Sequence, residues 1–272
     1  MELTGLYYSE NIEFRETSNF DPSILESGAI YYEVLRIVDG TALFLEDHLD
    51  RLQQSVTLAG RQYLISVPLI HYLLRNLILR NNTSNGNVKM ILHFRDNTSP
   101  VIYTFFIPHF YPGPELYVNG VVAALYKAER RDPNIKQVHS AMTAEIGAFI
   151  RKKKIYDALL VDLNDQITEG SKTNVFFVND DTVYTAPADR VLIGVTRTKI
   201  IDLCKALNIN IIEDAIATSD LNNFKSAFFT GTSPRVLPIK KIDQFVLDVN
   251  NPVVRRLMHE YDVMVHEYLN NN

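Results

Sequence analysis

Ile167-Thr168-Glu169-Gly170-Ser171-Lys172-Thr173-Asn174-Val175-Phe176-Phe177-Val178 decides how the rest of the chain is read. Its second half is a β-rich apolar run. Valine and phenylalanine suit a covered, pleated surface, so this run predicts a buried strand. Gly170 can supply the unusual backbone angles of a tight turn. Glu169 therefore stands at a corner beside a buried strand. A carboxylate there is poorly placed for an ordinary surface charge and well placed to meet a cationic ring nitrogen.

Working outward, Asn179-Asp180-Asp181 returns the chain as a hairpin into Thr182-Val183-Tyr184-Thr185. Gly194-Val195-Thr196-Arg197 precedes an amphipathic helix carrying Ile200, Ile201, Cys204 and Leu207. Ala227-Phe228-Phe229 predicts a strand that ends in Thr230-Gly231-Thr232-Ser233, and Asn251-Pro252 starts a helix reaching residue 269. Upstream, residues 158–162 read as a short apolar strand, 140–153 as a helix and 116–125 as a strand. Pro108, Pro112, Gly113 and Pro114 fall close together and make the best linker, so two domains are expected, 1–112 and 113–272. The first of these opens with a strand-like stretch, 30–37, which turns at Asp39-Gly40 and resumes over 41–45. Helical patterns follow from residue 46, with Leu49, Leu52, Val56 and Ala59 on one face, and over 68–79. A polar loop spans 81–87. Strands over 88–94 and 101–107 are joined by a turn at Asp96-Asn97.

The chain has 272 residues, 46% of them apolar, and a formal net charge of −5. That is enough material for two medium cores. The mild acidity argues against a nucleic-acid footprint, which needs a clustered basic face. Arg151-Lys152-Lys153-Lys154 reads as a solvated helix face. Cys204 is the sole cysteine, which excludes an internal disulfide and a cysteine zinc cluster, and its apolar-periodic setting predicts a small buried hydrophobe. No signal peptide is visible, and the most apolar helix candidate is too short and too polar to span a bilayer. A soluble, cytoplasmic protein is expected.

Three stretches look like anion sites. Gly194-Val195-Thr196-Arg197 places a glycine and a hydroxyl at a helix start, where free N–H groups and the dipole favour a phosphate. Thr230-Gly231-Thr232-Ser233 sets small hydroxyl residues around a glycine after a buried strand. Arg51 could add a fixed positive charge. Lys136, between an extended Pro133 segment and a helix, is a candidate nucleophile. A lysine nucleophile, a carboxylate for a ring nitrogen and a phosphate cradle are together the parts that hold pyridoxal 5'-phosphate.

Those residues carry a resemblance to a known family. From about residue 27 to 239 the chain resembles the class IV aminotransferases, the pyridoxal-phosphate enzymes of fold type IV. That family includes branched-chain and D-amino-acid aminotransferases and aminodeoxychorismate lyase. Thr168 to Phe176 is similar to the family's E-G-S-x-x-N-x-F signature. Gly194-Val195-Thr196-Arg197 is similar to its G-[IV]-T-R motif. Thr230-Gly231-Thr232 with Val236, Pro238 and Ile239 resembles T-G-T-x-x-x-V-x-P-[IV]. Gly28, Tyr32-Glu33-Val34 and His48-x-x-Arg51-Leu52 resemble its amino-terminal pattern.

The resemblance implies a two-domain α/β enzyme of the α+β type, with the cofactor in the cleft between domains, working as a homodimer on small amino acids and 2-oxo acids. By position, Lys136 would bind the cofactor covalently and shuttle a proton between it and the substrate Cα. Glu169 would pair with the pyridinium nitrogen. Arg51, Thr196 and Thr232, with the backbone at Val195, would hold the phosphate. The Thr232 and Ser233 backbone would lie near the substrate carboxylate, and Tyr32 would face the substrate. Tyr31 or Tyr32, His93, Arg95 and Tyr103 are expected to build the pocket wall, with His93 and Arg95 on one strand face.

The chain departs from the family's pattern at three places. His139 and Ala141 stand where an asparagine and a tyrosine often follow the lysine. The frequent G-D-G is Gly28-Ala29-Ile30. After Ser99-Pro100 come Val101-Ile102-Tyr103 rather than the arginine–histidine trap of D-amino-acid aminotransferases. The expected reaction is transfer of an amino group from an apolar, branched-chain-like L-amino acid to 2-oxoglutarate. The alternative is a lyase releasing pyruvate from aminodeoxychorismate, or a D-amino-acid aminotransferase; a cofactor-binding protein without turnover is a further alternative.

Overall fold

The computed structural model describes residues 2–95, 99–130, 132–136 and 140–272, with Ser140 and Ala141 described by backbone alone. The turn expected at Asp96-Asn97 lies outside them. The chain forms two compact units of mixed α/β structure. One comprises Met1–Phe110, Ile135–Val138 and Glu267–Asn272, the other Tyr111–Asn134 and His139–His266.

The first unit is a six-stranded sheet of β1 (Thr4–Glu10), β2 (Glu13–Glu16), β3 (Ala29–Val38), β4 (Thr41–Ala42), β5 (Gly86–Phe94) and β6 (Val101–Ile107). Their order is β2-β1-β6-β5-β3-β4, every pair antiparallel. Helices α1 (Leu45–Leu58) and α2 (Val67–Asn81) cover one face. Leu45, Leu49, Leu52 and Val56 of α1 recur at helical spacing. They bury against Tyr31, Leu35 and Ile37 of β3 and Val88, Met90 and Leu92 of β5. The alternate residues, Ile30, Ile91, Tyr103 and Phe105, form a second cluster with Tyr8 on the other face.

The strand expected over 41–45 is only the short β4. Phe44 takes a left-handed φ of 53°, and Glu46 and Asp47 then favour the positive end of α1. The polar loop expected from residue 81 begins later, because Asn81 is the buried last residue of α2. Its Oδ1 accepts from the Leu6 and Tyr7 N–H groups at 2.6 and 2.9 Å, and its Nδ2 donates to the Tyr7 and Leu77 carbonyls at 3.0 and 2.9 Å. One side chain thus ties β1 to α2. Gly5 makes room for it, since a Cβ there would come within 2.5 Å of Asn81 Oδ1.

In the second unit, α3 (Pro114–Asn119) leads to β7 (Val121–Lys127), α4 (Ser140–Lys153), β8 (Asp157–Val161), β9 (Gln166–Gly170), β10 (Asn174–Asn179) and β11 (Thr182–Thr185). Next come α5 (Val195–Ala206), β12 (Asn210–Glu213), β13 (Ile216–Ala217), β14 (Ser226–Gly231), β15 (Arg235–Ile242), β16 (Phe245–Val246) and α6 (Pro252–Asn271). The sheet order is β12-β11-β10-β14-β15-β7-β8-β9-β13, with β16 on β15. The pairs β15–β7, β7–β8 and β11–β12 are parallel.

Residues 116–119 are helical rather than the start of a strand. Pro114 presets a first helical turn, and Gly120, at φ 68°, stops it. On β8, Leu159 and Val161 enter one core with Val175, Phe177 and Phe229, while Ala158 and Leu160 meet Ile146 of α4. Phe176 stacks on Phe228 with ring centres 5.0 Å apart. Cys204 is fully buried, as its setting predicts, and burial pushes its thiol up to about 12. Residues 151–154 are exposed. Among the described residues no helix is long and apolar enough to cross a membrane.

Asn81→Ala is expected to destabilise the protein by about 1–3 kcal/mol, because two partly buried strand N–H groups lose their acceptor. Urea unfolding of the variant checks this; a midpoint equal to that of the parent would remove Asn81 from the account.

Candidate active site

β9 runs through Gly170, so Glu169 is a strand residue and the turn lies just after it. Gly170 does not use a left-handed conformation. It is required for space: a Cβ would fall 2.0 Å from Thr173 Oγ1 and 2.7 Å from Asp157 Oδ2. Asp157 is buried and accepts from the Ser171 hydroxyl, from the Thr173 hydroxyl at 2.8 Å, and from the Ala158 and Lys172 N–H groups at 2.8 and 3.3 Å. Burial raises its pKa despite these four donors. The result is a rigid hairpin that presents Glu169.

Glu169 is itself only 4% exposed. Arg130 Nε lies 2.8 Å from its Oε1 as an ion pair, and Arg130 Nη2 donates to the Ser171 carbonyl at 2.8 Å. Oε2 accepts from the Leu192 N–H at 3.2 Å and from Asn174 Nδ2 at 3.4 Å. Asn174 Nδ2 also donates to the Leu192 carbonyl at 2.9 Å. A Cβ on Gly194 would strike Asn174 Oδ1 at 2.1 Å. The two glycine motifs therefore interlock, with Asn174 of one gripping the approach to α5 in the other. A cavity of about 140 Å³ beside Glu169 is lined by Arg130, Pro133, Thr168 and Arg190, the last paired with buried Asp162.

α5 begins at Val195 with Gly194 as an N-cap that offers no side chain, and Val195 and Thr196 are buried. Its first helical bond is the Thr198 N–H to the Gly194 carbonyl, so the leading N–H groups are available to an anion. α5 packs on β14, where Thr230 is buried with no hydrogen-bond partner for Oγ1 among the described residues. Thr232 and Ser233 follow in the turn into β15, which opens with Arg235 at φ 54°. An orphaned hydroxyl, an uncapped helix start and a buried carboxylate suit a group with a phosphate and a cationic ring nitrogen.

The first unit holds a second cluster. Glu33 on β3 is fully buried and takes two bonds from Arg51 of α1, Nε to Oε1 at 2.8 Å and Nη2 to Oε2 at 2.5 Å. His48, one turn earlier, donates from Nδ1 to Glu33 Oε2 at 2.7 Å. Burial opposes ionisation of Glu33, but the Arg51 charge and the bonds from His48 and Arg51 outweigh it and hold the carboxyl well below its usual range. Burial also lowers the His48 pKa, against the pull of Glu33. Lys136 is clipped to this frame by its backbone. Its N–H donates to Ser55 Oγ at 3.3 Å and its carbonyl accepts from the Tyr32 N–H at 3.2 Å. Its Nζ lies 5.1 Å from the centre of the Tyr32 ring.

The remaining expected wall residues are occupied. His93 is buried and donates from Nε2 to the Ser27 carbonyl at 2.7 Å. Arg95, exposed just past the end of β5, reaches the Tyr103 hydroxyl at 3.2 Å, and Tyr103 donates to Glu10 at 3.4 Å. His93 and Arg95 thus engage different partners. His139 and the side chain of Ala141 lie outside the described residues. Sequence reasoning misses Arg130, which carries no local signal, and Asp157, which opens β8 just ahead of its apolar run.

The model of the family described as amino-transferase class IV matches residues 31–242. A probable branched-chain-amino-acid aminotransferase of Rickettsia felis is 30% identical over 260 residues, 90% of this chain and 89% of the relative. A D-alanine aminotransferase of Bacillus licheniformis is 26% identical over 226 residues, 78% of each. The solved structure of the Escherichia coli branched-chain amino acid aminotransferase superposes with a TM-score of 0.84 at 21% identity, covering 96% of this chain and 95% of that one.

Glu33→Gln is expected to cost about 3–5 kcal/mol at pH 7, because Arg51 loses its buried counter-charge. Since the folded pKa of Glu33 lies below its unfolded value near 4.5, its contribution is complete above that value and is lost as pH falls through the folded one. Paired denaturation curves should therefore converge on acidification. A gap that stays constant down to acid pH would show that the pair carries no such stability.

Proposed function

The chain belongs to the class IV aminotransferases, enzymes that work with pyridoxal 5'-phosphate, and we propose that it moves the amino group of an apolar L-amino acid onto 2-oxoglutarate. The observation that carries the substrate reading is the wall of the first unit. Val101, Ile102 and Tyr103 lie within β6; Val101 and Tyr103 share the apolar cluster that Tyr32 packs against, while Ile102 faces the helices. No cation stands where D-amino-acid enzymes trap a carboxylate after Ser-Pro, and the Tyr32 ring offers apolar surface beside Lys136. The branched-chain relative, 30% identical along nearly its whole length, supports the same choice.

When bound, the cofactor supplies the carbonyl that takes up the amino group and a ring that accepts the electron pair from Cα. The residues do the rest. Lys136 holds the cofactor and carries a proton to and from the substrate Cα. Glu169 keeps the ring nitrogen protonated, its buried carboxylate being held by Leu192 and Asn174. Arg51, the α5 start at Val195 and Thr196, and Thr232 receive the phosphate. Glu33 fixes the Arg51 guanidinium for that task. Ser233 and Thr232 orient the substrate carboxylate, and Tyr32 lies along the side chain.

Borohydride reduction of the yellow protein followed by peptide mapping is expected to mark Lys136; a mark on Lys127 or Lys172 would overturn the assignment. Glu169→Gln is expected to keep the cofactor but lose about 100-fold or more in kcat, since the ring nitrogen loses the charge that holds its proton. Steady-state assays with both enantiomeric series decide the substrate. Faster turnover of D-alanine than of L-leucine, or pyruvate release from aminodeoxychorismate without transamination, contradicts the reading.

A further inference from the structure

Helix α1 buries a polar stripe beside its apolar one. His48, Arg51 and Ser55 recur at positions i, i+3 and i+7, next to Leu45, Leu49, Leu52 and Val56. His48 and Arg51 both bond Glu33. Ser55 is fully buried and meets a different partner. Its hydroxyl donates to the Arg51 carbonyl at 3.0 Å, and the same oxygen accepts the Lys136 N–H at 3.3 Å. A hydroxyl has one proton to give and lone pairs to receive with, so Ser55 is engaged in both capacities. A serine bonded back to its own helix four residues earlier does little for the fold by itself. Here that bond fixes the hydroxyl and turns a lone pair to Lys136. The segment bearing Lys136 has two further anchors: Ile135 packs against the helix-side core, and the Lys136 carbonyl accepts the Tyr32 N–H at 3.2 Å. With its carbonyl on β3 and its N–H on α1, the lysine backbone is held from both sides.

We propose that Ser55 is a positioning residue for the cofactor: it hangs the Lys136 backbone from the turn of α1 that carries Arg51 and so fixes the separation of amine and guanidinium. The inference rests on the reading of Lys136 as the cofactor lysine and of Arg51 as a phosphate anchor. Pyridoxal 5'-phosphate carries its aldehyde and its phosphate arm on neighbouring carbons of one rigid ring. Nucleophile and anchor must therefore match a single spacing, and a small misplacement of either is costly. Without the Ser55 oxygen, the segment keeps Ile135 and the Tyr32 bond, and Arg51 keeps Glu33. Only the lysine loses its aim.

The test compares two ligands on the cofactor-free full chain. Pyridoxine 5'-phosphate has the same ring and phosphate with an alcohol in place of the aldehyde, so it reports the anchor alone. Pyridoxal 5'-phosphate reports the lysine as well: the neutral Lys136 amine bonds to the aldehyde carbon, and the aldehyde oxygen leaves as water. In Ser55→Ala, Kd for pyridoxal 5'-phosphate is expected to rise about tenfold or more, while Kd for pyridoxine 5'-phosphate stays within about threefold. Ser55→Cys, of similar shape but a poor acceptor, should behave like Ser55→Ala. A parental ratio in Ser55→Cys would assign Ser55 to packing and overturn the proposal. If neither variant folds, hydrogen exchange at the Lys136 amide of the unaltered protein decides: it is expected to be about 100-fold or more slower than in an unstructured peptide, and the unstructured rate overturns the proposal. A ratio of the two Kd values unmoved by Ser55→Ala, with borohydride still marking Lys136, overturns the role of Ser55 alone. A mark on another lysine, or parental affinity of Arg51→Ala for pyridoxine 5'-phosphate, overturns the reading beneath it.

Discussion

A carboxylate withdrawn from water stays ionised only where something answers its charge, and that constraint shapes both units. Glu33 is answered by Arg51 and His48, Glu169 by Arg130, and Asp162 by Arg190. Asp157 has four neutral donors instead, and its pKa rises accordingly. Each answer joins segments distant in sequence. Glu33 binds β3 to α1, Glu169 binds β9 to the approach of α5, and Asp157 closes the hairpin that carries Glu169. Moving Glu33, Glu169 or Asp162 would strand a charge and moving Asp157 would strand four donors, so the frame around the candidate site is fixed more firmly than apolar contact alone would fix it.

The positions of the site are legible in the sequence to the extent that they sit in local patterns. β3, β6, β10 and β14 announce themselves by apolar runs, and the two glycine motifs mark the ends of β9 and the start of α5. What those glycines do is not legible. Gly170 reads as a source of unusual backbone angles and Gly194 as part of an anion-binding helix start, yet at both a neighbouring side chain fills the space of a Cβ. A single-sequence pattern carries backbone preference and says nothing of a contact made across the sheet. The same limit hides Arg130, whose ion-pair partner is 39 positions away, and Asp157, whose hydroxyl donors are 14 and 16 away. Residues 116–119 fail for another reason: their apolar content suits strand or helix, and only the flanking Pro114 and Gly120 choose between them.

Lys89 on β5 inverts the rule that governs the acids: burial lowers its pKa to about 8. Its strand is otherwise buried along its length, so local pattern gives no ground for a cation there. The sequence reading names His93 and Arg95 as wall residues, because strand alternation puts both on one face. Side-chain geometry separates them: His93 is engaged by a backbone carbonyl and Arg95 by a tyrosine, whereas Lys89 shares the ring that Lys136 faces.

The hydrogen bond from the Tyr32 N–H to the Lys136 carbonyl has a meaning beyond placement of the lysine. β5 pairs with β3 from Ala29 to Ile37, but on the opposite side β4 reaches only Ile37 and Val38. Most of that side would be an open rim of backbone donors and acceptors, the kind of surface on which chains stack into aggregates. The segment bearing Lys136 closes part of this rim. The backbone that covers this rim and the lysine proposed to hold the cofactor therefore belong to one stretch of chain. A substitution that displaces this segment would therefore uncover strand edge as well as move the lysine.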